Sequence, residues 1–321
     1  MKLARLAALL GWILLFGLVR LPLEDAVSDR LDQELPSRQA ALNLEMREQL
    51  GQLGFVAAFG GLRSVLASLF YLDTYTAWSE GNWAEMKTKY DLVTQLQPRE
   101  TLYWEMGGWQ LAYNASADVL SQESLAPPVR RKQWREMVQA GVAMYEEGIR
   151  NNPESWRLMT RLGDLLQDRY KLQDHAAAAE WYARAAALPG TPSFYRRFEA
   201  YARARVPGQE RQAWEMLRDF WLAGGENRKP TLAAQLWNLQ LRLGLSESEG
   251  ALPLEEVFLD LALAQETLSR FRLNLSLEPY RELDHFLAQL EEALGLPPEQ
   301  RTAALLPEMQ ERQGRLRESI E

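Results

Sequence analysis

The sequence contains no cysteine and only two histidines, His175 and His285. The absence of cysteine excludes disulfide bonds, zinc–cysteine sites, iron–sulfur clusters and thiol catalysis, although it does not decide the compartment. The two histidines form no cluster in the sequence, and each falls in a helix-forming segment, so neither indicates a metal site. We therefore predict no metal ligands.

The common catalytic and nucleotide-binding motifs are also absent. The chain has no GxGxxG or GxxxxGK[ST] pattern, either of which would provide a glycine-rich loop for a phosphate. It has no HExxH or GxSxG pattern, and two histidines without cysteine leave almost nothing from which to build a nucleophile–histidine arrangement. We predict that the protein is not an enzyme, with no catalytic residues and no cofactor.

Carboxylates keep one catalytic alternative open, because a glycosidase needs only two acidic side chains. The candidate acids are Glu100, Glu105 and Asp118. Aromatic residues that would stack on a sugar lie nearby in the sequence, namely Trp104, Trp109 and Tyr113. An enzyme acting on envelope glycans is the least favoured alternative, since large aromatic residues at such positions more often pack in a core.

Acidic residues outnumber basic residues, 44 to 36, and the formal net charge is −8. A nucleic-acid-binding protein usually presents a basic surface, so we predict no nucleic-acid partner. Two local groups of basic residues lie within 130–135 and 196–205. Each is interpreted either as a solvated helix face or as a contact for an anionic partner.

The N-terminus has the pattern of a membrane anchor. Lys2 and Arg5 precede the uncharged apolar run 6–19, which Arg20 closes. The run is shorter than the ~17–25 residues of a spanning helix, but it reaches that length when the neighbouring apolar residues are included. No small-x-small cleavage site follows, so we predict an uncleaved anchor over residues 1–23 rather than a cleaved signal peptide.

The charges around this run predict the orientation of the chain. Basic residues precede the run and acidic residues follow it, so the positive-inside rule places the N-terminus in the cytoplasm. We therefore predict a single-pass protein of the inner (plasma) membrane, with its body periplasmic or extracytoplasmic.

A second apolar stretch, residues 53–72, contains a single charge at Arg63. A central arginine costs a spanning helix about 2.5–3.5 kcal/mol. The favoured interpretation is a buried or membrane-surface helix that leads into the body. The alternative is a second span, which would return the body to the cytoplasm. We assign residues 24–66 to connecting helices and leave their membrane association open.

The body of the chain repeats a helical pattern. Apolar residues recur at helical spacing, and glycine and proline mark the turns. In a register of about 34 residues that begins at Ala67, seven positions are matched by Phe70, Ala77, Gly81, Trp83, Tyr90, Val93 and Pro98. Gly81 permits the turn between two helices, and Pro98 ends the second helix.

Three further copies follow this one. The second begins at Thr101 and carries a long insertion, the third contains Gly163 and has a longer turn, and the fourth begins at Phe194. In the second and third copies a glycine stands at position 8 and a tyrosine at position 24 of the register. A small residue at position 8 lets two helices approach closely. The alternative is a generic helical bundle whose glycines and prolines match this register by chance.

These copies resemble the tetratricopeptide repeat (TPR), and the layout is similar to that of membrane-anchored bacterial proteins of this repeat superfamily. The resemblance covers residues 67–225 and implies an all-α fold, a TPR-like α-solenoid of antiparallel helix pairs behind an N-terminal membrane anchor helix. It also implies a concave groove for a partner, lined mainly by the first helix of each pair. The residues expected to line this groove are Trp104, Gln110, Asn114, Arg157, Met159, Arg161, Arg196, Arg197 and Tyr201.

Residues 226–321 are predicted to form a C-terminal helical cap without a clear repeat. We expect helices over 231–243 and 254–271, with Pro253 at the start of the second. An apolar stripe at 280–294 either belongs to this cap or binds a partner.

These features together predict a membrane-tethered scaffold that binds another protein in the repeat groove, for the assembly of an envelope complex. The alternative is an integral, non-catalytic subunit of a membrane complex, whose apolar segments pack against other membrane helices. Both predictions give the chain two contacts, a membrane through residues 1–23 and a partner protein.

Overall fold

The structure, a computed structural model, describes residues 63–275 and 280–318. Every regular element in these two ranges is a helix, which confirms the all-α prediction. The predicted anchor, residues 1–23, and nearly all of the connecting segment 24–66 lie outside the described residues. Within the described ranges, no helix has the length and apolarity needed to cross a membrane.

The described chain packs as two compact units. Among these residues, the first unit contains 63–118 and 139–153, and the second contains 119–138 and the chain from 154 onward. One long helix therefore contributes its first half to the second unit and its second half to the first unit.

The first unit begins with two helices joined by a tight turn. Helices α1 (Arg63–Ser79) and α2 (Trp83–Leu96) pack against each other. Gly81 lies between them with a φ of 66°, which glycine adopts without strain. The Asn82 side chain caps α2 by accepting a hydrogen bond from the Glu85 N–H at 3.2 Å. The other helical segments that contribute to this unit are α3 (Thr101–Trp109), the π-helical segment Gln110–Ala115, α4 (Ser116–Ser121) and the second half of α5 (Pro127–Asn151).

Glycines in α3 bring tyrosine rings against the helix backbone. A Cβ atom on Gly107 would lie 3.0 Å from the Tyr90 ring, and a Cβ atom on Gly108 would lie 2.7 Å from the Tyr145 ring. A larger residue at either position would displace its neighbour, so glycine determines how closely these helices approach.

The second unit contains the remaining helices. In chain order they are α6 (Trp156–Gln167), α7 (His175–Ala186), α8 (Tyr195–Arg203), α9 (Glu210–Ala223), α10 (Pro230–Leu243), α11 (Leu254–Val257), α12 (Leu261–Asn274), α13 (Arg281–Ala293) and α14 (Thr302–Glu318). Each of α6 to α9 packs against the next helix in the chain. The close approach recurs here, because a Cβ atom on Gly163 of α6 would lie 2.9 Å from the Tyr182 ring of α7.

Helix α10 lies in the middle of the apolar core of the second unit. All nine residues 232–240 are buried, so this helix contacts protein around its whole circumference. The same core includes side chains from α8, α9, α12 and α13. Because the core continues across residue 225, the packing does not separate the predicted repeats (67–225) from the predicted cap (226–321) at that position.

The prediction of one helix over 254–271 was wrong in one respect, because the helix is interrupted at residues 258–260. Helix α11 ends at Val257, and Phe258 is extended with a φ of −128° and a ψ of 143°. Asp260 then caps α12 by accepting a hydrogen bond from the Leu263 N–H at 2.8 Å. The interruption buries Phe258 in the core, a long-range contact that helical spacing in the sequence does not reveal.

The apolar stripe at 280–294 lies inside the core. Tyr280, Leu283, Leu287 and Leu290 are buried, and all four belong to the cluster that surrounds α10. The stripe is therefore occupied by contacts within the chain, and the interpretation of it as a partner-binding face was wrong.

Candidate partner-binding site

Six aromatic rings contact one another in the second unit, on α6, α7 and α8. We call them the aromatic row, and they belong to Trp156, Tyr182, Phe194, Tyr195, Phe198 and Tyr201. Ring centroids lie 4.4 Å apart for Phe194 and Tyr195, and 5.5 Å apart for Tyr195 and Phe198. Trp156 joins the row through Tyr195 at 6.0 Å. Aromatic pairs attract each other at these separations.

The local sequence of α8 explains why these rings share one side of the helix. Residues 195, 198 and 201 are three apart, so their side chains are neighbours on the helix surface. Ala200 and Ala204 on the adjoining face pack into the core. The aromatic side chains of α8 are therefore half-buried, and Phe194 at the start of the helix is 37% exposed.

Arginines accompany the aromatic row at the surface. Arg157 is exposed, and its guanidinium lies 5.4 Å from the centroid of the Trp156 ring, within the range of a cation–π interaction. Arg161 and Arg196 are also exposed, and Arg161 lies 3.9 Å from the Asp164 carboxylate. We define the α6–α8 surface as the five exposed or half-buried rings of the row together with these three arginines.

Tyr182 is buried beneath this surface. Its hydroxyl donates a hydrogen bond to Asp164 Oδ1 at 2.6 Å and accepts one from Gln167 Nε2 at 2.8 Å. Burial raises the pKa of the Asp164 carboxyl, although the hydrogen bond from Tyr182 and the charge of Arg161 lower it in part. Because Gly163 leaves room for the ring, Tyr182 lies against α6 and touches Tyr195 and Phe198 of α8.

The predicted groove residues of the second unit fall into two groups. Arg157, Arg161 and Arg196 are exposed, as a partner contact requires. Met159 and Arg197 are instead buried, at 3% and 8% exposure, so we remove both from the contact set. Met159 packs inside the unit because it stands on the buried face of the amphipathic helix α6.

Arg197 and Tyr201 make contacts within the second unit. Arg197 donates a hydrogen bond to Asn227 Oδ1 at 2.8 Å, which connects α8 to the 3₁₀ turn Gly225–Asn227. Burial raises the pKa of Tyr201 to about 12, although the neighbouring Arg197 lowers it in part. Tyr201 is thus neutral at physiological pH, and its ring stays in the aromatic row as a half-buried member.

The other three predicted groove residues lie in the first unit. Trp104 is buried, and its indole N–H donates a hydrogen bond to the Pro98 carbonyl at 2.9 Å, so we remove it from the contact set as well. Gln110 and Asn114 are half-buried in the π-helical segment. The Asn114 amide donates a hydrogen bond to Gln110 Oε1 at 2.7 Å.

The candidate acids Asp118 and Glu100 have partners within the first unit. Asp118 accepts a hydrogen bond from the Trp83 indole at 2.7 Å, and Glu100 caps α3 by accepting one from the Leu102 N–H at 3.2 Å. In the part of the chain that the structure describes, no group of three or more histidines and acids is placed to hold a metal ion.

Four aromatic residues of the candidate site, one on α6 and three at the start of α8, were not predicted from the sequence. Trp156, Phe194, Tyr195 and Phe198 were not among the expected groove residues. A usable signal was present, since 194, 195 and 198 have the i, i+1 and i+4 spacing of one helix side and arginine follows directly at 196.

Comparison with known proteins does not name a relative for this chain. No protein-family model matches the sequence, and no curated protein matches it either.

Proposed function

We propose that this protein is a membrane-tethered scaffold that binds a segment of another protein on the α6–α8 surface, for the assembly of an envelope complex. The observation that carries the proposal is the combination of aromatic rings that connect α6 to α8 and exposed arginines on the same two helices. Tyrosine, tryptophan and arginine are the residues that contribute most to protein–protein binding.

The chemistry of the surface indicates the kind of segment that binds. The rings offer a half-buried apolar area, whose further burial favours an apolar side chain in the partner. The arginines offer planar groups with several hydrogen-bond donors, which pair with carboxylates. A partner segment with an apolar anchor beside acidic residues complements both features.

The glycine–tyrosine contacts support a TPR-like arrangement of helix pairs as the scaffold. Gly108 meets Tyr145 and Gly163 meets Tyr182, and each pair has a glycine at position 8 and a tyrosine at position 24 of the repeat register. Two separate parts of the chain therefore use the same residue types at the same register positions to join two helices. We extend this to the proposal that the body is a TPR-like α-solenoid.

The membrane tether is proposed for residues 1–23, from their basic flank and apolar run. A tether raises the effective concentration of the scaffold for partners at the same membrane. Binding of a modest affinity on the α6–α8 surface then suffices for assembly.

The test is affinity capture of the full-length tagged chain from its native membranes in mild detergent, with quantitative mass spectrometry. Two variants change exposed members of the surface, Phe194→Ala and Arg196→Glu. Two controls make the matching changes elsewhere, Leu222→Ala on α9, which is 55% exposed, and Arg281→Glu on α13, which is also exposed.

The proposal predicts one partner that is captured stoichiometrically by the unchanged chain and by both controls. Capture by each surface variant is expected to fall about tenfold or more, as for a residue central to an interface. If all four variants capture the partner equally, or if the unchanged chain captures none, the assignment of the α6–α8 surface is wrong.

A further inference from the structure

Helix α1 carries an apolar face that nothing in the described chain covers. Val65, Leu69 and Leu72 are 52%, 57% and 68% exposed, and their spacing of four and three residues places them on one side of the helix. The residues packed toward the protein, Ala67 and Thr74, lie on the other side. Exposed aliphatic residues that line up in this way mark a contact surface, whereas scattered ones do not.

Both charged residues of α1 interact with α2. The Arg63 guanidinium donates a hydrogen bond to the Gln95 carbonyl of α2 at 3.4 Å. The Asp73 carboxylate lies 2.7 Å from the Lys89 ammonium of α2, and the Asp73 side chain is 51% exposed. The charge of Asp73, the residue next to Leu72, is therefore compensated by Lys89.

Two exposed serine hydroxyl groups of α1 are satisfied inside the helix. The Ser68 hydroxyl donates to the Ser64 carbonyl at 2.9 Å, and the Ser79 hydroxyl donates to the Thr76 carbonyl at 2.8 Å. Polar groups that enter an apolar medium must find internal partners of this kind. These contacts lower the cost of placing this side of α1 in lipid.

The order of residue types along α1 matches the depth profile of a bilayer. Aliphatic residues come first, and two exposed aromatic residues follow, Tyr75 at 68% and Trp78 at 39% exposure, with ring centroids 5.4 Å apart. Tyrosine and tryptophan are enriched at the level of the lipid headgroups. The polar turn of residues 79–82 comes next.

The chain that leads into α1 is apolar as well. Residues 53–62 contain no charged or strongly polar side chain and end directly at Arg63. The exposed face of the helix thus continues an uncharged sequence of the same character. Contact with a water-soluble protein would not explain why the uncharged sequence extends from residues 53–62 into α1, whereas contact with lipid would.

We propose that α1 enters the membrane surface obliquely, with Val65, Leu69 and Leu72 in the acyl region and with Tyr75 and Trp78 at the headgroups. This inference rests on the membrane tether of the proposed function. It adds a second lipid contact, which holds the first unit against the bilayer. The occupant of the exposed face is lipid, and the contact is made through apolar burial rather than through charge.

The experiment uses the full-length chain, which has no cysteine and therefore accepts single labels. Nitroxide spin labels are placed at Leu69→Cys and at Leu72→Cys, with an exposed position of α2, Ala84→Cys, as the control. Each labelled protein is reconstituted in vesicles of phosphatidylcholine and phosphatidylglycerol. Collision rates are measured with oxygen, which concentrates in lipid, and with a nickel chelate, which stays in water.

The proposal predicts that labels at 69 and 72 collide more with oxygen than with the nickel chelate, and that the control shows the reverse. The ratio of the two rates is expected to differ from that of the control by about tenfold or more, because oxygen concentrates in lipid whereas the polar chelate is excluded from it. Low collision rates with both reagents would mean that protein covers the face, either residues 53–62 or a second copy, and would overturn the proposal.

A high rate of collision between the nickel chelate and the labels at 69 and 72 would also overturn the proposal. Flotation of the vesicles separates this failure from failure of the proposed function. A chain that floats with the vesicles but exposes 69 and 72 to water keeps its tether and contradicts only the placement of α1. A chain that does not float contradicts the tether itself.

Discussion

Thr302 on α14 donates two hydrogen bonds to one oxygen of Glu291 on α13. Its hydroxyl lies 2.5 Å and its backbone N–H lies 3.0 Å from Glu291 Oε1. The Gln265 amide of α12 donates to the same oxygen at 3.0 Å. Glu291 is 1% exposed, so this carboxylate joins three helices in the interior of the second unit.

Replacement of Thr302 by valine is expected to lower the free energy of unfolding by about 1–2 kcal/mol, because it removes a hydrogen bond to a buried charged acceptor. The matched control is Thr231→Val on the exposed start of α10, which should change stability by less than about 0.5 kcal/mol. Urea unfolding followed by circular dichroism measures both. Equal effects of the two substitutions would contradict a stabilising role for the contact with Glu291.

Replacement of Gly163 by alanine is expected to lower the free energy of unfolding by about 1–3 kcal/mol, since the added methyl group overpacks the contact with Tyr182. The Cβ atom would lie 2.9 Å from that ring. Tyr182→Leu removes the ring and should reduce the cost of Gly163→Ala in the double variant. A double-mutant cycle measured by urea unfolding tests the coupling, and strictly additive effects would contradict the predicted clash.

The ion pair between Arg272 and Asp284 connects α12 to α13. Arg272 is 3% exposed, and its Nε and Nη2 atoms lie 2.5 and 3.1 Å from the two carboxylate oxygens of Asp284. Asp284→Ala leaves the buried guanidinium without this partner, and the expected loss of stability is about 1–3 kcal/mol, reduced from the fully buried case because Asp284 is partly exposed.

The matched control for this ion pair is Glu266→Ala. Its partner Arg270 is largely exposed, so the expected change in stability is about 0.5 kcal/mol or less. Thermal unfolding of both variants at one pH measures the difference. A control that loses as much stability as Asp284→Ala would show that burial of Arg272 is not the cause.

The raised pKa of Asp164 predicts a pH dependence of stability. Burial makes the folded protein bind this proton more tightly than the unfolded chain, whose carboxyl keeps its ordinary pKa of about 3.8. The contribution of Asp164 to stability is therefore greatest below pH 3.8 and is lost as the pH rises through the folded-state pKa.

Asp164→Asn is expected to remove this dependence while it keeps an acceptor for the Tyr182 hydroxyl. The stability of the variant relative to the unchanged protein should then rise as the pH increases from 3.8 through the folded-state pKa. Urea unfolding at a series of pH values from acid to neutral measures the difference. A difference that is constant with pH would contradict a raised pKa for this group.

Helix boundaries were predictable wherever the signal is local. Asp174 caps α7 by accepting a hydrogen bond from the Ala177 N–H at 2.9 Å, and α10 begins at Pro230, one residue before the predicted start. Capping and the restricted φ of proline act within one turn of helix, so the neighbouring residues in the sequence contain the information. The break at Phe258 was missed, because it depends on a core contributed by distant helices.

The candidate site was only partly predictable for the same reason. The exposed arginines at 157, 161 and 196 were expected as contacts, and all three are at the surface. Trp104 was expected beside them but is buried. Residue type and register position predict the side of a helix, whereas exposure depends on which other helix covers that side.

The sequence by itself determined the helical character of the described chain, the absence of cysteine chemistry, the turn at Gly81 and the start of α10 to within one residue. These follow from composition and from interactions between residues close in the chain. Tertiary structure alone decided that the stripe at 280–294 is core and that Glu291 meets Thr302. It also decided that none of the described residues covers the face of α1 at Val65, Leu69 and Leu72. These outcomes depend on contacts between distant segments, whose free energy comes from burial and from hydrogen bonds that no local pattern specifies.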